Sequence, residues 1–119
     1  MNIADIFITA SDVRGKFEKG TADLNPIVKE YSDYSGIAME DMPEFMRQAD
    51  ELFPRLNCGI ASLYLKKTIG AGEIVTGRYS GKGHTFLKVG DTLIVDITAD
   101  QFGGPRVYVG PLESPWSLK

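Results

Sequence analysis

The sequence predicts an α+β fold with N-terminal helices packed on a small antiparallel sheet. Three observations lead there. Apolar residues recur at three- and four-residue steps up to Gly70, then give way to short β-branched runs. Glycine or proline falls at each point where a helix would stop. The chain has 119 residues, 43% hydrophobic and 24% charged, which suits one domain with one core, residues 1–70 mainly helical and 71–119 mainly strands.

The first helix is marked by Ile3, Ile6, Phe7, Ala10, Val13 and Phe17, with Gly20 to end it. Asn25-Pro26 reads as an N-cap with proline at the first helical position, opening a short helix through Ile27, Val28 and Tyr31 that Ser35-Gly36 closes. Asp41-Met42-Pro43-Glu44 resembles a capping-box start. Met42, Phe45, Met46, Ala49, Leu52 and Phe53 then form one apolar stripe, for which core packing is the first reading and a Met-rich binding groove the alternative. Pro54 breaks that helix. The fourth opens on Asn57 as N-cap and ends at Gly70, with Lys66 and Lys67 in its last turn. It is apolar nearly all round, the mark of a central, buried helix.

Beyond Gly70, Glu73 to Thr76 reads as a strand and Gly77 to Gly83 as a flexible loop. Gly81-Lys82-Gly83 lacks the spacing and the Lys-Ser/Thr ending of a P-loop. Strands follow at His84 to Val89 and Leu93 to Thr98 around a Gly90-Asp91 turn, and a last one at Arg106 to Val109 after Gly103-Gly104-Pro105. The tail from Leu112 holds the only tryptophan, Trp116, among prolines and serines.

Composition excludes several function classes. Thirteen Lys and Arg against sixteen Asp and Glu give a net charge of −3, and the sequence pI is near 5.1. That sign disfavours nucleic acid and anionic membrane as partners. One cysteine allows no internal disulfide and no zinc cluster of several thiolates, so neither metal nor cofactor is expected. Met1-Asn2-Ile3-Ala4-Asp5 has no basic stretch followed by an apolar one, and no apolar run approaches the roughly 20 residues of a membrane span. A cytoplasmic protein is the expectation.

The only cysteine and the only histidine concentrate the chemistry. Cys58 would occupy the first turn of the fourth helix, where free amides and the helix dipole favour thiolate and point at a developing oxyanion. His84 opens a strand, and Asp96 lies within the next, among apolar neighbours that leave its charge in need of a partner. Side chains alternate along strands. A three-residue loop, Val89 to Asp91, would therefore set His84 directly opposite Asp96, whereas a two-residue Gly90-Asp91 loop would put them on opposite faces. Leu87, Val89, Leu93, Val95 and Ile97 would make the core face. Each residue also has a plain structural reading: a small buried core cysteine, a hydrogen-bonded strand histidine, a turn-capping aspartate.

The order Cys, His, Asp, carried by Asn57-Cys58-Gly59-Ile60-Ala61, His84-Thr85-Phe86-Leu87 and Val95-Asp96-Ile97-Thr98, resembles the papain-like and transglutaminase-like cysteine hydrolase superfamily. The segment from Asn57 to Phe102 looks particularly like the small bacterial papain-fold toxin, deamidase-like and protease-like domains. This resemblance implies a papain-like fold and a thiol-dependent hydrolase or acyl transferase acting on an amide bond of a protein or peptide. Cys58 would be the nucleophile, His84 the general base and then acid, and Asp96 the orienting group. A non-catalytic binding module on the same scaffold is the alternative. Two departures stand out. The glutamine such proteases place shortly before the cysteine is missing, with Leu52 and Phe53 in its neighbourhood, and Phe86 stands where an aromatic, often tryptophan, follows the histidine. Gln48, Asn57 and Gln101 are the candidates for the second oxyanion donor, Gln101 doubling as a turn cap.

Overall fold

The computed structural model describes residues 2–119. Four helices precede a five-stranded antiparallel sheet. Helix α1 runs Ile3–Lys19; the Asn2 side chain caps it by accepting from the Asp5 amide, and Gly20 closes it at φ 67°. Its inner face buries Ile6, Ala10, Val13 and Phe17, whereas Ile3 and Phe7 lie on its exposed flank. Helix α2 spans Val28–Ser35 and ends at Gly36. A 3-10 turn, Asn25–Ile27, comes before it, so Asn25 is not its cap; instead the Asp23 carboxylate accepts the Asn25 amide. Helix α3, Met42–Leu52, likewise follows a 3-10 turn, Met39–Asp41. Asp41 has φ −94° and ψ −8°, inside that turn rather than extended, and its side chain caps nothing. Helix α4, Cys58–Ile69, ends where Gly70 adopts φ 81° and returns its N–H to the Lys66 carbonyl.

The strands are β1, Glu73–Tyr79; β2, Lys82–Val89; β3, Leu93–Asp96; β4, Tyr108–Pro111; and β5, Trp116–Ser117. Their spatial order is β4-β3-β2-β1-β5. The glycine-rich stretch expected to be a flexible loop is a tight hairpin instead. Tyr79 pairs with Lys82, and Ser80 and Gly81 both take positive φ, 49° and 81°, as a two-residue type I′ turn requires. Gly77 sits inside β1 because β5 passes against it: a Cβ there would overlap the Ser117 carbonyl. The expected strand at Arg106 begins two residues later, at Tyr108, and the tail from Leu112, for which no strand was expected, supplies the edge strand β5.

Both faces of the sheet are covered. Leu87, Val95 and Ile97 pack with Ile6, Val13, Ile60 and Leu63 of α1 and α4. Val89 and Leu93, expected on that face, are only partly buried against it. On the other face Tyr79, Phe86, Ile94, Ala99 and Trp116 form a second cluster. Each fully buried side chain of this size contributes roughly 1.5–3 kcal/mol. Arg14 ties the segment after β3 to α1: its guanidinium donates to the Ile97 carbonyl and to both Asp100 carboxylate oxygens, each at 2.8 Å. Among the described residues no helix is long and apolar enough to cross a membrane.

Candidate active site

The approach to Cys58 is fixed by Asn57. This residue is 3% exposed, and its amide nitrogen donates to the Ala49 carbonyl at 2.7 Å and to that of Arg55 at 2.8 Å. The first of those carbonyls belongs to the closing turns of α3, so the bond fastens the start of one helix to the end of another. Asn57 does precede α4, but it caps with its backbone carbonyl, which accepts from Ala61, and not with its side chain. Cys58 is the first residue of α4 and is half-buried. The amides of Cys58, Gly59 and Ile60 have no carbonyl one turn earlier in the helix and are directed toward its N-terminal end.

His84 and Asp96 meet in the sheet. Their side chains are 0% and 1% exposed, and Nε2 of the imidazole donates to Oδ2 of the carboxylate at 2.6 Å. A carboxylate only accepts, so Nε2 carries a proton and Nδ1 is left facing elsewhere. The parity reasoning holds in its essential point: Val89 pairs with Leu93, leaving the odd loop Gly90-Asp91-Thr92 and one shared face for both side chains. The register is shifted by one pair from the expected one. Extended from Leu87 opposite Val95, it sets Asp96 opposite Phe86 and diagonal to His84 rather than directly across from it.

Asp96 has every lone pair engaged. Oδ1 accepts from the Thr98 amide at 2.9 Å and from the Thr98 hydroxyl at 3.3 Å; Oδ2 accepts from His84 and from Nε1 of Trp116 at 2.9 Å. These four donors offset the cost of burying the carboxylate among apolar groups. Around the imidazole stand three rings: Tyr79 edge-on at 6.3 Å, Phe86 at 5.9 Å and Phe102 edge-on at 5.3 Å. They exclude water and strengthen the electrostatics within.

Nδ1 of His84 is the one fully buried polar side-chain atom among the described residues that lacks a hydrogen-bond partner. The Cys58 thiol makes no hydrogen bond to it. The two groups still act on each other. Burial pushes the thiol up, but the His84 imidazole and the Thr85 amide and hydroxyl together outweigh it, and Cys58 titrates below its usual 9.0. Burial pushes His84 down, while Asp96 and then Cys58 push it up, from 6.5 to about 9. Both shifts favour thiolate beside imidazolium over thiol beside neutral imidazole.

The three side-chain amides considered for the oxyanion are committed elsewhere. Both Asn57 amide hydrogens are spent on backbone carbonyls. Gln48 lies exposed on α3 and donates to Glu44. Gln101 donates to the Thr98 carbonyl at 3.0 Å, the turn-capping role. Trp116 and Thr98, which hold Asp96, escaped the sequence reading; the one available signal was a lone tryptophan in a polar, proline-flanked tail. A cleft of about 160 Å³ bordered by Phe17, Met46, Phe53 and Ile60 carries no nucleophile and does not include Cys58 in its lining. No three His, Cys, Asp or Glu side chains gather into a metal-holding group among the described residues. No protein-family model matches the chain, and no curated protein or solved structure is found similar to it.

Proposed function

We propose that this chain is a papain-like, thiol-dependent hydrolase or acyl transferase acting on an amide bond of a protein or peptide, as a glutamine deamidase or a protease does. The observation that carries the reading is the imidazole of His84, held through Nε2 by a fully bonded Asp96 with Nδ1 left to a thiol at the start of a helix. The Cys58 thiolate adds to the carbonyl carbon and the C=O π pair moves onto oxygen. As the tetrahedral adduct collapses, the C–N bond breaks and imidazolium gives its proton to the departing amine. Water, deprotonated by the now neutral His84, then attacks the thioester; the C–S bond breaks, and thiolate and imidazolium are restored. Asp96 holds the ring throughout.

One observation favours a second reading. The His84 side chain is 0% exposed, and a binding module that keeps the scaffold could seal its histidine in the same way. Incubating the wild type and Cys58→Ser with glutamine-containing peptides separates the two readings. The hydrolase reading expects peptide cleavage, or a mass gain of about one dalton where NH₂ becomes OH, with the wild type alone. An absence of both, together with no acyl adduct on Cys58 from an activated ester, would leave the binding module.

A further inference from the structure

A tetrahedral adduct at Cys58 needs more than one hydrogen-bond donor for its oxygen, and the first-turn amides of α4 supply only one kind. With Gln48, Asn57 and Gln101 occupied, and the Thr85 amide and hydroxyl acting on the thiol itself, a further polar group at this helix end comes from α2. Tyr31 has its ring buried, stacked on Phe45 at 5.7 Å. Its hydroxyl comes up against Gly59, the second residue of α4: a Cβ at that position would stand 3.0 Å from Tyr31 Oη and 3.0 Å from its Cε1. Glycine at 59 is what lets the phenol reach the helix backbone this closely.

Among the described residues the Tyr31 hydroxyl makes no hydrogen bond. It is also absent from the fully buried unpaired groups, of which there is only one, Nδ1 of His84, so it is not sealed from solvent. The ring alone would satisfy packing. The hydroxyl is thus a free donor next to the residue that follows the nucleophile.

We propose that the Tyr31 hydroxyl is the second oxyanion donor of this site, acting with the Cys58 amide on the oxygen of the tetrahedral adduct; this rests on the hydrolase reading above. Burial, the nearby Cys58 charge and Tyr34 hold the phenol up at about 12, so it keeps its proton at every pH where the thiolate–imidazolium pair exists.

The test compares wild type with Tyr31→Phe, using p-nitrophenyl acetate as acyl donor and iodoacetamide as a reagent that forms no oxyanion. In the first reaction the thiolate takes the acetyl group and p-nitrophenolate leaves with the bonding pair. Acylation is expected to slow at least tenfold and toward the roughly 100-fold loss typical of one missing oxyanion donor. The pH profile of alkylation and the denaturation midpoint should stay those of the wild type. Equal acylation rates in the two proteins would overturn the role of Tyr31 and leave the hydrolase reading standing. A shifted alkylation profile that accounts for all the slowing would make Tyr31 a partner of the thiolate and overturn the oxyanion role. A wild type that neither acylates nor alkylates differently from a free thiol would remove both readings together.

Discussion

Replacing Asp96 by asparagine changes one atom and leaves the shape of the site intact, yet the structure gives it a large penalty. The Thr98 amide and the Trp116 indole can only donate, and they address different oxygens of Asp96, at 2.9 Å each. A carboxamide must turn its NH₂ toward one of them. Whichever way it turns, one buried N–H loses its acceptor and faces another hydrogen, a cost of about 1–3 kcal/mol. Loss of the charge-assisted bond to His84 adds to this, for a total of roughly 2–5 kcal/mol. The chemistry suffers separately. Without the anion at Oδ2 the imidazole loses the strongest of the groups that raise it, Cys58 alone is left to oppose burial, and the His84 value falls from about 9. On the proposed hydrolase reading, turnover should fall by roughly 10³–10⁴-fold, the size seen when a buried triad carboxylate is neutralised. Urea unfolding followed by tryptophan fluorescence reads the stability at the site itself, because Trp116 is the only tryptophan. A destabilisation under about 0.5 kcal/mol would refute the four-donor account of Asp96.

Further outcomes follow from the same geometry. Trp116→Phe keeps a ring to stack on Tyr108, now 3.9 Å away, but removes the indole donor; urea midpoints should show a loss of about 1–3 kcal/mol, and no loss would mean that the bond to Asp96 adds nothing. His84 is the only histidine, so its Cε1 proton resonance is assigned at once, and its titration should centre near 9 instead of 6.5. Because that value is raised on folding, the His84 contribution to stability is complete below about 6.5 and is lost as pH rises through about 9; denaturation across that range in wild type and His84→Ala checks the sign. Arg14→Met strands Asp100 and the Ile97 carbonyl, and thermal or urea melts should report a cost of roughly 3 kcal/mol; a change near zero would show that the turn after β3 holds itself.

What could be read from the sequence was what has a fixed local period or a local stop signal. The 3.6-residue pattern and Gly20, Gly36 and Gly70 gave the helices and their ends, because each glycine adopts the left-handed conformation that closes a helix. The period of two put His84 and Asp96 on one face. The exact register escaped, because Thr92 joins the loop and offers its carbonyl to the Leu112 amide, a contact twenty residues away. Long-range bonds account for the other differences. Asn57 has the composition of a side-chain cap, but the carbonyls of Ala49 and Arg55 claim its amide. Trp116 becomes part of the site only once β5 docks on β1, opposite Tyr79, a pairing that no pattern within the tail announces. Tyr31 read as one more apolar position of a short helix, and only the fold carries its hydroxyl to Gly59.

The central claim, a thiolate held beside an imidazolium, is tested most directly by the rate of Cys58 alkylation with iodoacetamide as a function of pH. The rate follows the thiolate fraction. In the wild type it should already be high below the free-cysteine value of about 8.5 and hold a plateau, with a second change near 9 as His84 loses its proton. In His84→Ala the thiol should titrate above its wild-type value, since burial is then opposed by the Thr85 amide and hydroxyl alone. A wild-type thiol that reacts only above about pH 8.5, with the same profile in His84→Ala, would contradict the account.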